Sequence, residues 1–177
     1  MSAEPASPLP GAAPAAPSPA PAPWPVRLLA SALLVAAVAA LGSAATAPEI
    51  PGWYQGLAKP PWTPPNQVFP IAWTTLYALM AVTLFRLWGR PPGTPGRRRA
   101  IALFLAQLAL NAVWSPVFFA LHAPWPALAI VLALLVTLAL AMRAALAVDK
   151  VAGWLLLPYL AWVCYASTLN AAIAVMN

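Results

Sequence analysis

The chain has 177 residues, of which 63% are hydrophobic and 7% charged, and it carries a net charge of +6. Soluble domains carry about 25% charged residues, so this chain lacks the polar material for a water-facing surface, and its long apolar runs belong in lipid. The positive charge does not point to nucleic acid, because the basic residues cluster in short loops between apolar runs rather than along a folded face. The single cysteine, Cys164, excludes an intramolecular disulfide and a cysteine-built metal site. It is expected to pack as a small apolar residue inside a helix.

Residues 1–25 form a Pro/Ala tract without hydrophobic periodicity, and the composition predicts a disordered tail of polyproline character. Residues 26–177 form the membrane domain. Five apolar stretches follow one another there, at 26–47, 68–87, 100–121, 126–148 and 151–176. Each has about 20 residues or more, enough to cross a hydrocarbon core of ~30 Å at 1.5 Å per residue. A backbone in lipid must satisfy itself, so the expected fold is all-α, an integral membrane bundle of five transmembrane helices. Pro70, Pro116 and Pro158 lie within or near these spans and predict local kinks. The first stretch also reads as a signal peptide, since Arg27 and an apolar run precede Ser43-Ala44-Ala45-Thr46-Ala47. A positive region of one arginine behind a long Pro-rich tail favours a retained helix.

With five spans, Arg27, Arg86, Arg90, Arg97, Arg98, Arg99, Arg143 and Lys150 fall on one side of the membrane and Lys59 alone on the other. The bias predicts a multi-pass protein with a cytoplasmic N-terminus and an extracytoplasmic C-terminus. The run Arg97–Arg99 acts first as this topology signal and would also attract anionic lipid headgroups. No Asp, Glu, Lys or His lies deep within a span, which argues against ion-coupled transport. The only acids are Glu4, Glu49 and Asp149, so no catalytic carboxylate pair or Ser-His-Asp set can be assembled. His122 could ligate a haem iron, but without a visible second ligand or orienting partner it reads as an interfacial polar residue.

Nine tryptophans stand out. Trp24, Trp88, Trp125 and Trp154 lie near helix ends, as interfacial tryptophans do. Trp73, Trp114 and Trp162 lie within spans. Trp73, Tyr77, Met80 and Leu84 share one face of the second span, and Gln107, Asn111, Trp114 and Phe118 share one of the third. Trp162, Tyr165, Ala166 and Leu169 share a face of the fifth. Amides so deep in an apolar span must face protein or a cavity. These faces could line a pocket for a flat, apolar ligand, but spacing alone fits simple packing of the bundle better. The stiff aromatic loop from Trp53 to Pro65 suits a lid over one mouth of the bundle, or an interfacial anchor.

Several motifs carry a resemblance. Trp53-Tyr54 followed by Lys59-Pro60-Pro61-Trp62-Thr63-Pro64-Pro65, Phe69-Pro70-Ile71-Ala72-Trp73-Thr74-Thr75-Leu76-Tyr77, the run from Gln107 to Phe119, and Pro158-Tyr159-Leu160-Ala161-Trp162 with Thr168-Leu169-Asn170 resemble the tryptophan-rich sensory protein/translocator protein family. The similarity runs from about Val26 to the C-terminus. It implies a five-helix bundle, commonly a homodimer in a bacterial membrane, that binds porphyrins, haem and benzodiazepine-type ligands beneath the first loop. Carried over by motif, Trp73, Asn111 and Trp162 contact ligand, Trp53 and Trp62 close the lid, and Trp114 and Ala166 are further candidates. For a dimer, Ala102 and Ala106 form a small-xxx-small pair on the third span. Tyr159 and Tyr165 have no Lys or Arg after them, which speaks against the family's sterol motif. The resemblance leaves three functions open: a tetrapyrrole-binding sensor, a porphyrin carrier, and a light-dependent porphyrin-degrading enzyme. No general acid/base pair supports ordinary catalysis.

Overall fold

The computed structural model describes residues 20–177. Of the tail expected over residues 1–25, residues 1–19 lie outside the described residues, and Trp24 and Pro25 already belong to the first helix. The described chain is all-helical and contains α1 (Trp24–Thr46), α2 (Val68–Gly89), α3 (Arg97–Ser115), α4 (Pro124–Val148), α5 (Lys150–Trp154) and α6 (Leu157–Met176). These make five segments long and apolar enough to span a membrane, Trp24–Tyr54, Val68–Gly89, Arg97–Ala120, Pro124–Val148 and Lys150–Met176. The protein is an integral multi-pass membrane protein.

Prolines set the irregularities. The first span does not stop at residue 47 but continues through a 3₁₀ turn (Ala47–Glu49) and a π turn (Ile50–Tyr54). Pro48 and Pro51 each stand at the second position of one of these turns, where the missing N–H interrupts the α-helical bonding and the span changes to 3₁₀ and then π geometry. Trp53 and Tyr54, expected in the loop, thus end the first span. Pro116 opens a second π turn (Pro116–Ala120), in which Leu121 N–H donates to the Pro116 carbonyl at 3.0 Å. Pro158 interrupts the fifth span: α5 ends at Trp154 and α6 restarts at Leu157. Pro70 lies in the first turn of α2, where it costs no bond, so the kink expected there has no cause.

α3 packs on α4, α4 on α6, and α1 against both α2 and α3. One core cluster gathers Met80, Leu84, Phe104, Leu134, Leu138 and Tyr159. A smaller one at the other end of the bundle gathers Tyr54, Phe118, Phe119, Ala127 and Ile173. Val26, Leu29, Leu33, Val136 and Val175 remain exposed, as an outward surface dissolved in acyl chains requires. Cys164 is exposed on α6 rather than packed inside, because the neighbouring Val163 takes the inward position.

The end holding the start of α1 is tied by charge. Asp149, only 3% exposed, sits between α4 and α5 and accepts from Arg86 Nη2 at 3.1 Å and Arg90 Nη2 at 2.7 Å. Its Oδ1 also caps α5 by accepting the Ala152 N–H at 3.0 Å. Burial alone would raise its pKa, but the Ala152 N–H and the two guanidiniums outweigh that and hold it at about 2. Arg86 is thus committed to an ion pair. Next to this joint, Gly153 presses on α4: a Cβ there would sit 2.8 Å from the Leu146 backbone nitrogen. Gly153→Ala should therefore lower stability by about 1–3 kcal/mol, read as an earlier unfolding midpoint in detergent. An unchanged midpoint would mean that α5 does not need this close approach.

Candidate ligand cavity

Between the two core clusters lies a cavity of about 380 Å³, within the size range of small-molecule sites. Small side chains of α1 form one wall, with Ala39, Gly42, Ser43 and Thr46 spaced by one turn along it. Phe69, Trp73 and Tyr77 of α2 face them from a second side, and Asn111, Trp114 and Ser115 of α3 from a third. Trp162, Ala166 and Asn170 of α6 complete the ring. Tyr54, Phe118, Phe119 and Ile173 close the end away from the Asp149 joint. No charged residue lines the cavity among the described residues.

The buried amides fix the walls. Tyr77 O–H donates to Asn111 Oδ1 at 2.9 Å, and Asn111 Nδ2 donates to the Tyr159 hydroxyl at 2.8 Å, so one amide ties α2, α3 and α6. A second chain runs from Trp114 Nε1 to Asn170 Oδ1 at 3.1 Å, then from Asn170 Nδ2 to the Pro124 carbonyl at 2.8 Å. Buried polar groups in an apolar setting demand such partners, and these bonds hold the aromatic rings in place. The Trp73 ring stacks on Tyr77 with centroids 5.3 Å apart and meets Trp162 edge-on at 6.5 Å. Phe69 also meets Trp162 edge-on, at 6.0 Å. Trp114 stacks on Phe118 at 5.2 Å. Within this satisfied set, Trp162 Nε1 is buried without a hydrogen-bond acceptor among the described residues.

Five of the seven sequence-derived positions, Trp73, Asn111, Trp114, Trp162 and Ala166, line the cavity. The other two do not. Trp53 stacks on His122 at 4.4 Å and meets Phe118 edge-on at 5.5 Å, outside the lining. The Trp62 side chain is 53% exposed, and only its carbonyl is engaged, by the Tyr165 hydroxyl at 2.8 Å. Trp53 stays on the helical end of the first span, and Trp62 follows the path of the loop. Its backbone is strapped along α6 by that bond and by Asn177, whose side chain bonds both the N–H and the carbonyl of Ala58. Asn66, at the loop's end, is what it contributes to the cavity. His122 does have an orienting partner: its Nε2 lies 2.8 Å from Glu49 Oε2. Trp88, read as interfacial, is half-buried against the core at the Asp149 end. Spacing missed the α1 wall, since in an alanine-rich helix Gly42, Ser43 and Thr46 give no contrast.

These features define a class: a polytopic membrane protein whose five spans enclose an uncharged, tryptophan-walled cavity. The chain belongs to the TspO/MBR family, whose model matches residues 30–176. It is 41% identical over 152 residues to the tryptophan-rich protein TspO of Archaeoglobus fulgidus, covering 86% of this chain and 97% of that one. It is 40% identical over 142 residues to the tryptophan-rich sensory protein of Cereibacter sphaeroides, with 78% and 87% covered. The human translocator protein is 37% identical over 122 residues, with 68% and 72% covered.

Proposed function

We propose that this protein is a membrane receptor for tetrapyrroles, with the cavity between α1, α2, α3 and α6 as the binding site. The observation that carries the reading is an uncharged chamber walled by Trp73, Trp114 and Trp162. Flat aromatic walls favour a flat, apolar guest through stacking and edge-on contacts. No histidine, cysteine, methionine or carboxylate lines the cavity among the described residues. The oxygen ligands left are the Tyr54 and Tyr77 hydroxyls, of which Tyr77 is already bonded to Asn111, so the metal-free porphyrin is the better fit.

The N-terminus is placed in the cytoplasm, following the basic residues at that end. Ala102 and Ala106 stay exposed on α3 and are the surface proposed for a second copy. Titration of the purified protein with protoporphyrin, followed by tryptophan fluorescence, should give saturable quenching with one site per chain. Linear, unsaturable quenching would remove the receptor reading, and porphyrin flux into protein-bearing liposomes in the dark would replace it with a carrier.

A further inference from the structure

A second pocket, of about 280 Å³, lies at the start of α1 and is lined by Ala22, Val26, Arg27, Ala30, Trp88 and Arg97. Its chemistry differs from that of the cavity: two guanidiniums line it without a carboxylate among the described residues. The acids among the described residues are Glu49 and Asp149, which pair with His122 and with Arg86 and Arg90. The Arg27 guanidinium lies against the Phe85 ring, 5.1 Å from its centroid, and over Gly89, where any Cβ would collide with it. Its Nε is buried without a hydrogen-bond partner among the described residues. Arg97 is held at the pocket by donating from Nε to the Leu87 carbonyl at 3.1 Å and from Nη2 to the Trp88 carbonyl at 3.2 Å.

We propose that this pocket binds the phosphate headgroup of an anionic membrane phospholipid, with Arg27 as its principal ligand. Fixed guanidiniums suit phosphate oxygens, which take charge-assisted, forked hydrogen bonds. The surroundings select a lipid over free phosphate. Trp24, 63% exposed beside the pocket, marks the headgroup level. Val26, which lines the pocket, begins an exposed apolar stripe that continues one turn at a time through Leu29 and Leu33. A lipid phosphate in the pocket would lay its acyl chain along that stripe. Basic pockets between helices at this depth recognise anionic headgroups.

The test is native mass spectrometry of the full chain with added phosphatidylglycerol or phosphatidylcholine. Phosphatidylglycerol should be retained preferentially, and Arg27→Gln should reduce its retention about ten-fold. Gly89→Ala removes no charge but displaces the guanidinium, and should produce the same loss. Arg98→Gln and Arg143→Gln remove one charge each from exposed sites at the same end and should change retention less than two-fold. Thermal midpoints establish that each variant is folded, and loss in either folded pocket variant suffices. Equal losses in all the arginine variants would reduce the effect to diffuse attraction and overturn the proposal, as would equal retention of phosphatidylcholine. Displacement of the lipid by millimolar inorganic phosphate would overturn it in favour of a free-anion site.

Discussion

Trp73→Ala should weaken protoporphyrin binding about thirty-fold while leaving the helical content unchanged. Trp73 presents its ring to the cavity between Tyr77 and Trp162. Removing an indole from such a wall forfeits roughly 2 kcal/mol of contact, and 1.4 kcal/mol is ten-fold in affinity. The bundle should survive, because Trp73 is only partly buried and its neighbours are fixed through Asn111 rather than through it. Asn111→Ala should weaken binding as well, by releasing the Tyr77 and Tyr159 hydroxyls. Trp88→Ala, at the Asp149 end, should leave affinity within two-fold. Porphyrin absorbance titration measures all three, and unchanged affinity in both Trp73→Ala and Asn111→Ala would remove the cavity as the binding site.

The largest stability effect should come from Asp149→Asn. The change leaves Arg86 and Arg90 facing each other without a counter-charge, and breaking a buried pair costs about 3–5 kcal/mol. Both arginines are partly exposed, at 34% and 43%, so water screens them and about 2–3 kcal/mol is the expected loss. The pH dependence has a definite sign. The folded carboxylate titrates at about 2, below its ordinary 3.8, so its stabilisation is complete above the ordinary value and fades as pH falls from about 4 to about 2. Unfolding midpoints in detergent across that range should fall for the native chain through this joint, while Asp149→Asn should lack that component. A native profile matched by the variant would show that Asp149 does not bind the two arginines in solution.

Most of the cavity was legible before any coordinates, and the physical reason is contrast. Gln107 and Asn111 are conspicuous in an apolar helix because lipid will not take them, and their spacing carries Trp114 and Phe118 to the same face. Trp73 with Tyr77 and Trp162 with Ala166 followed by the same periodicity. What stayed hidden depends on distance along the chain or on the width of a turn. Asp149 lies 63 and 59 positions from its two arginines, and His122 lies 73 from Glu49. No local pattern joins such pairs. The prolines at 51 and 116 were visible, but not that each would stand in a π turn, nor that the first span would run on to Tyr54. The path of the first loop was set by contacts of its backbone with Tyr165 and Asn177, so Trp62 gave no hint that it would stay outside the cavity.

The self-contained bonding of Asn111 and Asn170 has a bearing on selectivity. A receptor whose inward amides await a guest rejects any molecule that leaves them bare. Here the two amides on the helical walls are already spoken for by Tyr77, Tyr159, Trp114 and Pro124, and only Asn66 at the mouth has no side-chain bond among the described residues. Outline and thickness, more than peripheral substituents, would then govern admission, and chemically diverse planar compounds of similar size should compete for the same chamber.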